Sequence, residues 1–225
     1  IIGDTENGYT KYFGDAGGIG YFVGPFVDVE QAIVANSTLY AYEDAGGLFG
    51  EINHGVSIHR SGAEVHITTD GITTQADIGG LVGELDLYNN NVNSQSGYHR
   101  ITITESYTRG HIDDARYEVG GFIGRVSATV TDAGFRIYDN YSAMNITSYY
   151  YNDRISGSVY YDQEDKDTNN PTRGLGGFIG RMSLDSDADS YEPEFFLKRN
   201  YVGGNLRYYH GTTNSNYGGG PAGNS

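Results

Sequence analysis

The residues best suited to chemistry in this chain are carboxylates spaced two apart. Asp185, Asp187 and Asp189 alternate with Ser186, Ala188 and Ser190, and Glu192 and Glu194 follow within the same stretch. Carboxylates at alternate positions of a turn can converge on one hard cation, which makes Asp185, Asp187, Asp189 and Glu192 candidate Ca2+ ligands. An EF-hand loop counted from Asp185 needs Gly at its sixth place and Glu at its twelfth. Ser190 and Phe196 stand there. Any calcium would therefore sit in a loop of another kind, and a solvated acidic loop is the plainer reading. The run Asp162-Gln163-Glu164-Asp165-Lys166-Asp167 is similar but carries an internal Lys.

Aromatic residues are the second candidate. Tyr149-Tyr150-Tyr151, Tyr160-Tyr161 and Tyr208-Tyr209 are consecutive, so on a strand at least one Tyr of each group faces outward. Exposed Tyr offers large contact area with a hydroxyl left for hydrogen bonding, and it can stack on sugars or anchor a protein contact. The competing reading is that these rings cover a thin core. His54, His59, His66, His99, His111 and His210 show no pair at a strong metal spacing. Asp113-Asp114 could serve a glycosidase or lyase, but nothing marks this pair among 29 acidic residues. Neither a nucleophile elbow nor a P-loop lysine occurs. Three sequons, at Asn36, Asn140 and Asn145, are glycosylation candidates if the source glycosylates exported proteins.

Composition bounds what can position such residues. The 225 residues include 34 Gly, 21 Tyr, no Cys and no Trp. Without Cys there is no disulfide framework, Cys-ligated zinc or cysteine nucleophile. No apolar stretch approaches the length of a membrane-spanning helix. The net charge of -15 repels phosphate backbones and anionic lipid, so neither nucleic acid nor membrane insertion is expected. The start at Ile1-Ile2-Gly3, without Met or a leader, fits a removed signal peptide or a fragment boundary. The expected location is extracellular or at the cell surface.

Repeats supply the organisation. Gly46-Gly47-Leu48-Phe49-Gly50-Glu51 recurs as Gly79-Gly80-Leu81-Val82-Gly83-Glu84, Gly120-Gly121-Phe122-Ile123-Gly124-Arg125 and Gly176-Gly177-Phe178-Ile179-Gly180-Arg181. A degraded copy begins at Gly20. The phrase is fixed while its spacer grows, as in stacked repeats whose insertions collect in loops on one side. Each copy reads as one strand. Leu48 with Ile52, Leu81 with Leu85 and Leu87, Phe122 with Val126 and Phe178 with Met182 form a core face. The final charged place runs Glu, Glu, Arg, Arg, so stacking would set Glu84 beside Arg125. A second phrase, Ser/Asn-Tyr-x-x-Gly/Met-x-Ile/Leu, lies between, at Tyr107, Tyr141 and Tyr201. Val29 to Asn36 is the one helix-like run.

The alternation of these two phrases resembles the GLUG repeat of bacterial surface proteins, over most of residues 17–206. The resemblance implies large secreted or cell-surface proteins of adhesin type with a β-solenoid architecture, and no catalytic residues. This chain departs from the pattern in its long, uneven spacers and high Tyr content.

The expected fold is all-β, a β-solenoid or β-helix-like stack of Gly-rich strands with long loops. It occupies residues 1–210 as a single elongated repeat domain, with repeat strands near 20–25, 46–52, 79–87, 120–126 and 176–182. Residues 211–225 read as a Gly/Asn/Ser-rich tail or inter-subunit segment. The expected function is a non-catalytic extracellular structural or adhesive protein that self-assembles through β edges and Tyr-rich surfaces into a homo-oligomer, filament or sheath. Surface glycans and host or neighbour-cell proteins are the other expected partners. The alternatives are a carbohydrate-binding adhesin, or a β-helix polysaccharide-degrading enzyme or phage tailspike.

Overall fold

The computed structural model describes residues 3–6, 9–12, 16–23, 27–41, 43–69, 76–87, 100–115, 118–128, 133–151, 174–184 and 194–211. These residues form strands and corners, with no helix among them. Val29–Asn36 is accordingly not helical. It belongs to strands Val27–Glu30 and Ile33–Ala41, where alternation of half-buried and exposed side chains prevails over helical spacing.

After an antiparallel hairpin of Gly3–Glu6 and Tyr9–Tyr12, the chain visits four parallel sheets in turn and returns to the first. Sheet 1 holds Ala16–Gly17, Ala45–Gly46, Asp77–Gly79, Glu118–Gly120 and Leu175–Gly176. Sheet 2 holds Gly20–Val23, Phe49–Ile52, Val82–Leu87, Ile123–Ala128 and Ile179–Leu184. Sheet 3 holds Val27–Glu30, Val56–His59, Arg100–Thr104, Gly134–Tyr138 and Glu194–Lys198. Sheet 4 holds Ile33–Ala41, Gly62–Thr69, Tyr107–Ala115 and Tyr141–Tyr151, with Tyr201–Val202 and Leu206–Gly211 both pairing the last of these. In every sheet each strand pairs with its counterpart from the preceding and following circuit.

Each glycine phrase is two strands, not one. The predicted strands 46–52, 79–87, 120–126 and 176–182 each break at a two-residue corner between sheets 1 and 2, and the predicted strand 20–25 is described as Gly20–Val23. The glycines explain the break. A Cβ on Gly79 would lie 1.8 Å from the Val82 carbonyl oxygen across the corner, and one on Gly124 of sheet 2 would lie 2.6 Å from the Ile78 backbone nitrogen of sheet 1. Sheets 1 and 2 thus nest backbone on backbone, closer than side chains allow. The second glycine of the phrase packs on sheet 4. A Cβ there would strike Val34, Ala63, Ser142 and Val202 at Gly18, Gly47, Gly121 and Gly177, and would meet Thr108 at 3.0 Å at Gly80. Those five residues share one register position.

The buried apolar side chains of these sheets form one core cluster. Leu48, Ile52, Leu81, Leu85, Leu87, Phe122 and Val126 are fully buried, and Phe178 stacks on Phe122 at 4.6 Å. Met182, expected on the same face, is 51% exposed in the fifth circuit. Ile58, Ile103 and Ile137 of sheet 3 occupy one register position and are also fully buried.

Corners are of two kinds. Sheet 1 to sheet 2 and sheet 3 to sheet 4 always take two residues. In the latter corner Gln31, Arg60, Glu105, Asp139 and Arg199 all adopt positive φ, between 49° and 60°. The next residue carries a ladder through the stack. Backbone amides of Ala32, Ser61, Ser106 and Asn140 donate to side-chain oxygens of Ser61, Ser106, Asn140 and Asn200, at 2.9–3.2 Å. Spacer length varies only at the other two corners, from 3 to 12 residues after sheet 2 and from 2 to 23 after sheet 4. Insertions therefore collect at two alternate corners, not on one side. The longest, after Tyr151, lies between the glycine phrases that begin at Gly120 and Gly176.

Candidate functional site

Backbone nesting of sheets 1 and 2 brings charged side chains together away from water. The residue after the third glycine of the phrase projects toward the strand start in sheet 1. Glu51, Glu84, Arg125 and Arg181 stand in register along sheet 2, as do Asp77 and Glu118 along sheet 1. Arg125 Nη1 lies 3.4 Å from Glu84 Oε1, so the expected Glu84–Arg125 pairing holds. The same guanidinium reaches Asp77 Oδ2 at 3.7 Å and Glu118 Oε2 at 3.5 Å, and Arg181 Nη1 donates to Glu118 Oε1 at 2.6 Å.

Asp44 joins this cluster from the corner ahead of Ala45–Gly46. Its Oδ1 accepts the Asp77 backbone N–H at 2.8 Å. One carboxylate oxygen from each of Asp44, Asp77 and Glu84 lies within 4.8 Å of the others. Burial pushes the Asp77 carboxyl up to about 10, with the negative charges of Asp44, Glu118 and Glu84 adding to the effect and Arg125 opposing it. Burial likewise raises Glu84 to about 8, reinforced by Asp44, with which it shares a side-chain hydrogen bond. Desolvation outweighs the single nearby guanidinium in both cases. Asp77 Oδ1 is buried and accepts no hydrogen bond. Carboxylates arranged this way can share a proton or hold a hard cation.

The residues singled out in the sequence fall elsewhere. Asp185, Asp187, Asp189, Glu192, Tyr160 and Tyr161 lie outside the described residues, as do 212–225. Tyr149, Tyr150 and Tyr151 end a strand of sheet 4, and Tyr208 and Tyr209 lie on the adjacent strand, with Tyr149 paired to Tyr209. Asn36 is exposed at a bulge between Ala35 and Ser37, where the register with Glu64 and Val65 shifts. Asn145 is half-buried and its Oδ1 accepts from Asn205. Asn140 is corrected as a glycosylation candidate. It is 1% exposed, and its Nδ2 donates to the Ile103 carbonyl and to Asn200 Oδ1, which leaves no room for a glycan.

His66 and His111 stand side by side in register, and His66 Nε2 lies 2.9 Å from Asp113 Oδ2. Their separation in sequence hid this. Asp44, Asp77 and Glu118 were missed as well, although each stands two residues before the first glycine of its phrase.

Comparison with protein-family models, curated proteins and solved structures returns no match for this chain.

Proposed function

We propose that the chain is a β-solenoid scaffold, a non-catalytic structural or adhesive protein of the cell exterior, and that copies associate end to end through the open strand edges. The observation that carries this reading is the state of the fifth circuit. Positions fully buried in earlier circuits are open there. Leu197, in register with buried Ile137, is 49% exposed; Val202, in register with buried Ser142, is 56% exposed; Leu206, in register with buried Ile146, is 50% exposed. Among the described residues no strand pairs the outer edge of this circuit in sheets 1, 2 and 3. Unpaired edges over an apolar face recruit further strands.

A second copy fits the charge pattern. Lys198 ends the fifth strand of sheet 3 and Glu30 ends the first, at one register position. Continuing the stack with another first circuit would set Lys198 of one copy against Glu30 of the next. The resemblance to GLUG repeats, the acidity and the lack of Cys fit an exported protein of this kind.

Sedimentation velocity with electron microscopy tests the reading. Concentration-dependent oligomers or filaments are expected. Lys198→Glu should weaken them and Glu30→Lys in the same chain should restore them. A monomer at every concentration overturns the proposal.

A second reading, glycan adhesion, rests on the register of Tyr149 with Tyr209 on adjacent strands. Binding on a glycan array that is lost in Tyr149→Ala/Tyr151→Ala would support it.

A further inference from the structure

We propose that the crevice between sheets 1 and 2 binds one divalent cation of the calcium class through Asp44, Asp77 and Glu84. This site is distinct from the acidic run at 185–194, and the inference is independent of how copies associate.

Three observations converge. The first is geometric. The three carboxylates come from two successive circuits and from both sides of the nested sheets, and their nearest oxygens lie within 4.8 Å of one another. Oxygens across a calcium shell of radius 2.3–2.6 Å stand roughly 4.6–5.2 Å apart. Three oxygens no farther apart than this can share one such shell.

The second is the stranded oxygen. Asp77 has a side chain 5% exposed, yet its Oδ1 accepts nothing. A buried carboxylate oxygen without a donor is costly and calls for a partner. Its other oxygen is already turned to Arg125, and Asp44 is held to the Asp77 backbone. Asp77 is thus fixed from two sides with one oxygen left over.

The third is charge. Four carboxylates, Asp44, Asp77, Glu84 and Glu118, face two guanidinium groups, Arg125 and Arg181. Asp86 adds its charge to the field at Glu84 and Arg125, so carboxylates outnumber guanidinium groups by at least two, an excess that a divalent cation offsets. Arg181 and Arg125 both engage Glu118, on the side of the cluster away from Asp44, so the guanidinium groups and the cation need not compete for every oxygen.

The rival occupant is a proton shared by Asp44 and Glu84. Isothermal titration with calcium chloride on chelator-treated protein separates the two, together with thermal melts in calcium and in chelator. One bound equivalent is expected, and calcium should raise the melting temperature by several degrees. Asp44→Asn keeps the oxygen that accepts the Asp77 amide, so it should stay folded by circular dichroism while losing at least tenfold in affinity. Glu84→Gln should do likewise. A triple Asp185→Asn/Asp187→Asn/Asp189→Asn variant should retain the heat and the shift. No binding at millimolar calcium overturns the proposal, and so does binding that survives Asp44→Asn and Glu84→Gln but disappears in the triple variant.

Discussion

The backbone amide of Ser106 donates to Oδ1 of Asn140, 2.9 Å away in the following circuit. The same Asn donates from Nδ2 to the Ile103 carbonyl and to Asn200. One side chain of the fourth circuit therefore bonds groups of the third and the fifth, at a corner whose first residue holds positive φ. Removing it takes the acceptor from the buried Ser106 amide and one donor from the Ile103 carbonyl. Asn140→Ala is expected to cost about 3 kcal/mol in chemical denaturation. A loss under about 0.5 kcal/mol, the range of ordinary surface changes, would mean water replaces the side chain.

Two glycines should respond oppositely to one added methyl. Gly124→Ala places a Cβ 2.5–2.8 Å from backbone atoms of Gly83, Ile78 and Asp77, none of which can swing aside. The nested sheets must part, and a loss of about 3 kcal/mol is expected. Gly134→Ala meets only the Arg100 side chain, at 3.4 Å. That change should be neutral or stabilise by about 0.4–1 kcal/mol through the unfolded chain. Parallel urea titrations of the two variants decide the matter.

Arg125 faces three carboxylates in the cluster between sheets 1 and 2. Arg125→Met leaves those acids without their shared cation and is expected to destabilise by about 3 kcal/mol, with little salt dependence. Arg60 bridges Glu30 and Glu105 at the surface. Arg60→Met should cost under about 1 kcal/mol and the difference should fade in high salt. Equal losses for the two variants would contradict the burial of the first.

The Arg199 guanidinium beside Asp139 holds that carboxyl below the usual aspartate range. A depressed folded value means the pair stabilises above the ordinary value, near 3.9, and loses that contribution as pH falls through the folded one. Carboxyl-detected NMR titration should place Asp139 below that figure, and Arg199→Ala should return it there. An unchanged titration in the variant would assign the shift to another cause.

The repeated phrase made much of the frame legible. Its apolar places named Leu48, Leu81 and Phe122 as core, and its last place predicted the Glu84–Arg125 neighbours. The fold-over at each Gly-Gly pair was not legible, because a run of alternating residues reads the same whether or not it bends. Nor was the partner of the second glycine visible. It is the residue after the sheet-4 position held by Tyr107 and Tyr141, and Ala63, Thr108, Ser142 and Val202 have only modest size in common. The acidic cluster escaped because Asp44 and Asp77 are distant in sequence and look like ordinary surface acids. Only the stacking of circuits puts them together.

The contrast between rigid and elastic corners has an evolutionary consequence. A segment of 23 residues enters between Tyr151 and Leu175, yet Val119 still pairs with Leu175 and Tyr141 with Tyr201. Added sequence at these corners leaves every ladder undisturbed. Such a frame can diversify what it displays while inheriting how it folds, and foreign peptides grafted after sheet 2 or sheet 4 should be carried as passengers.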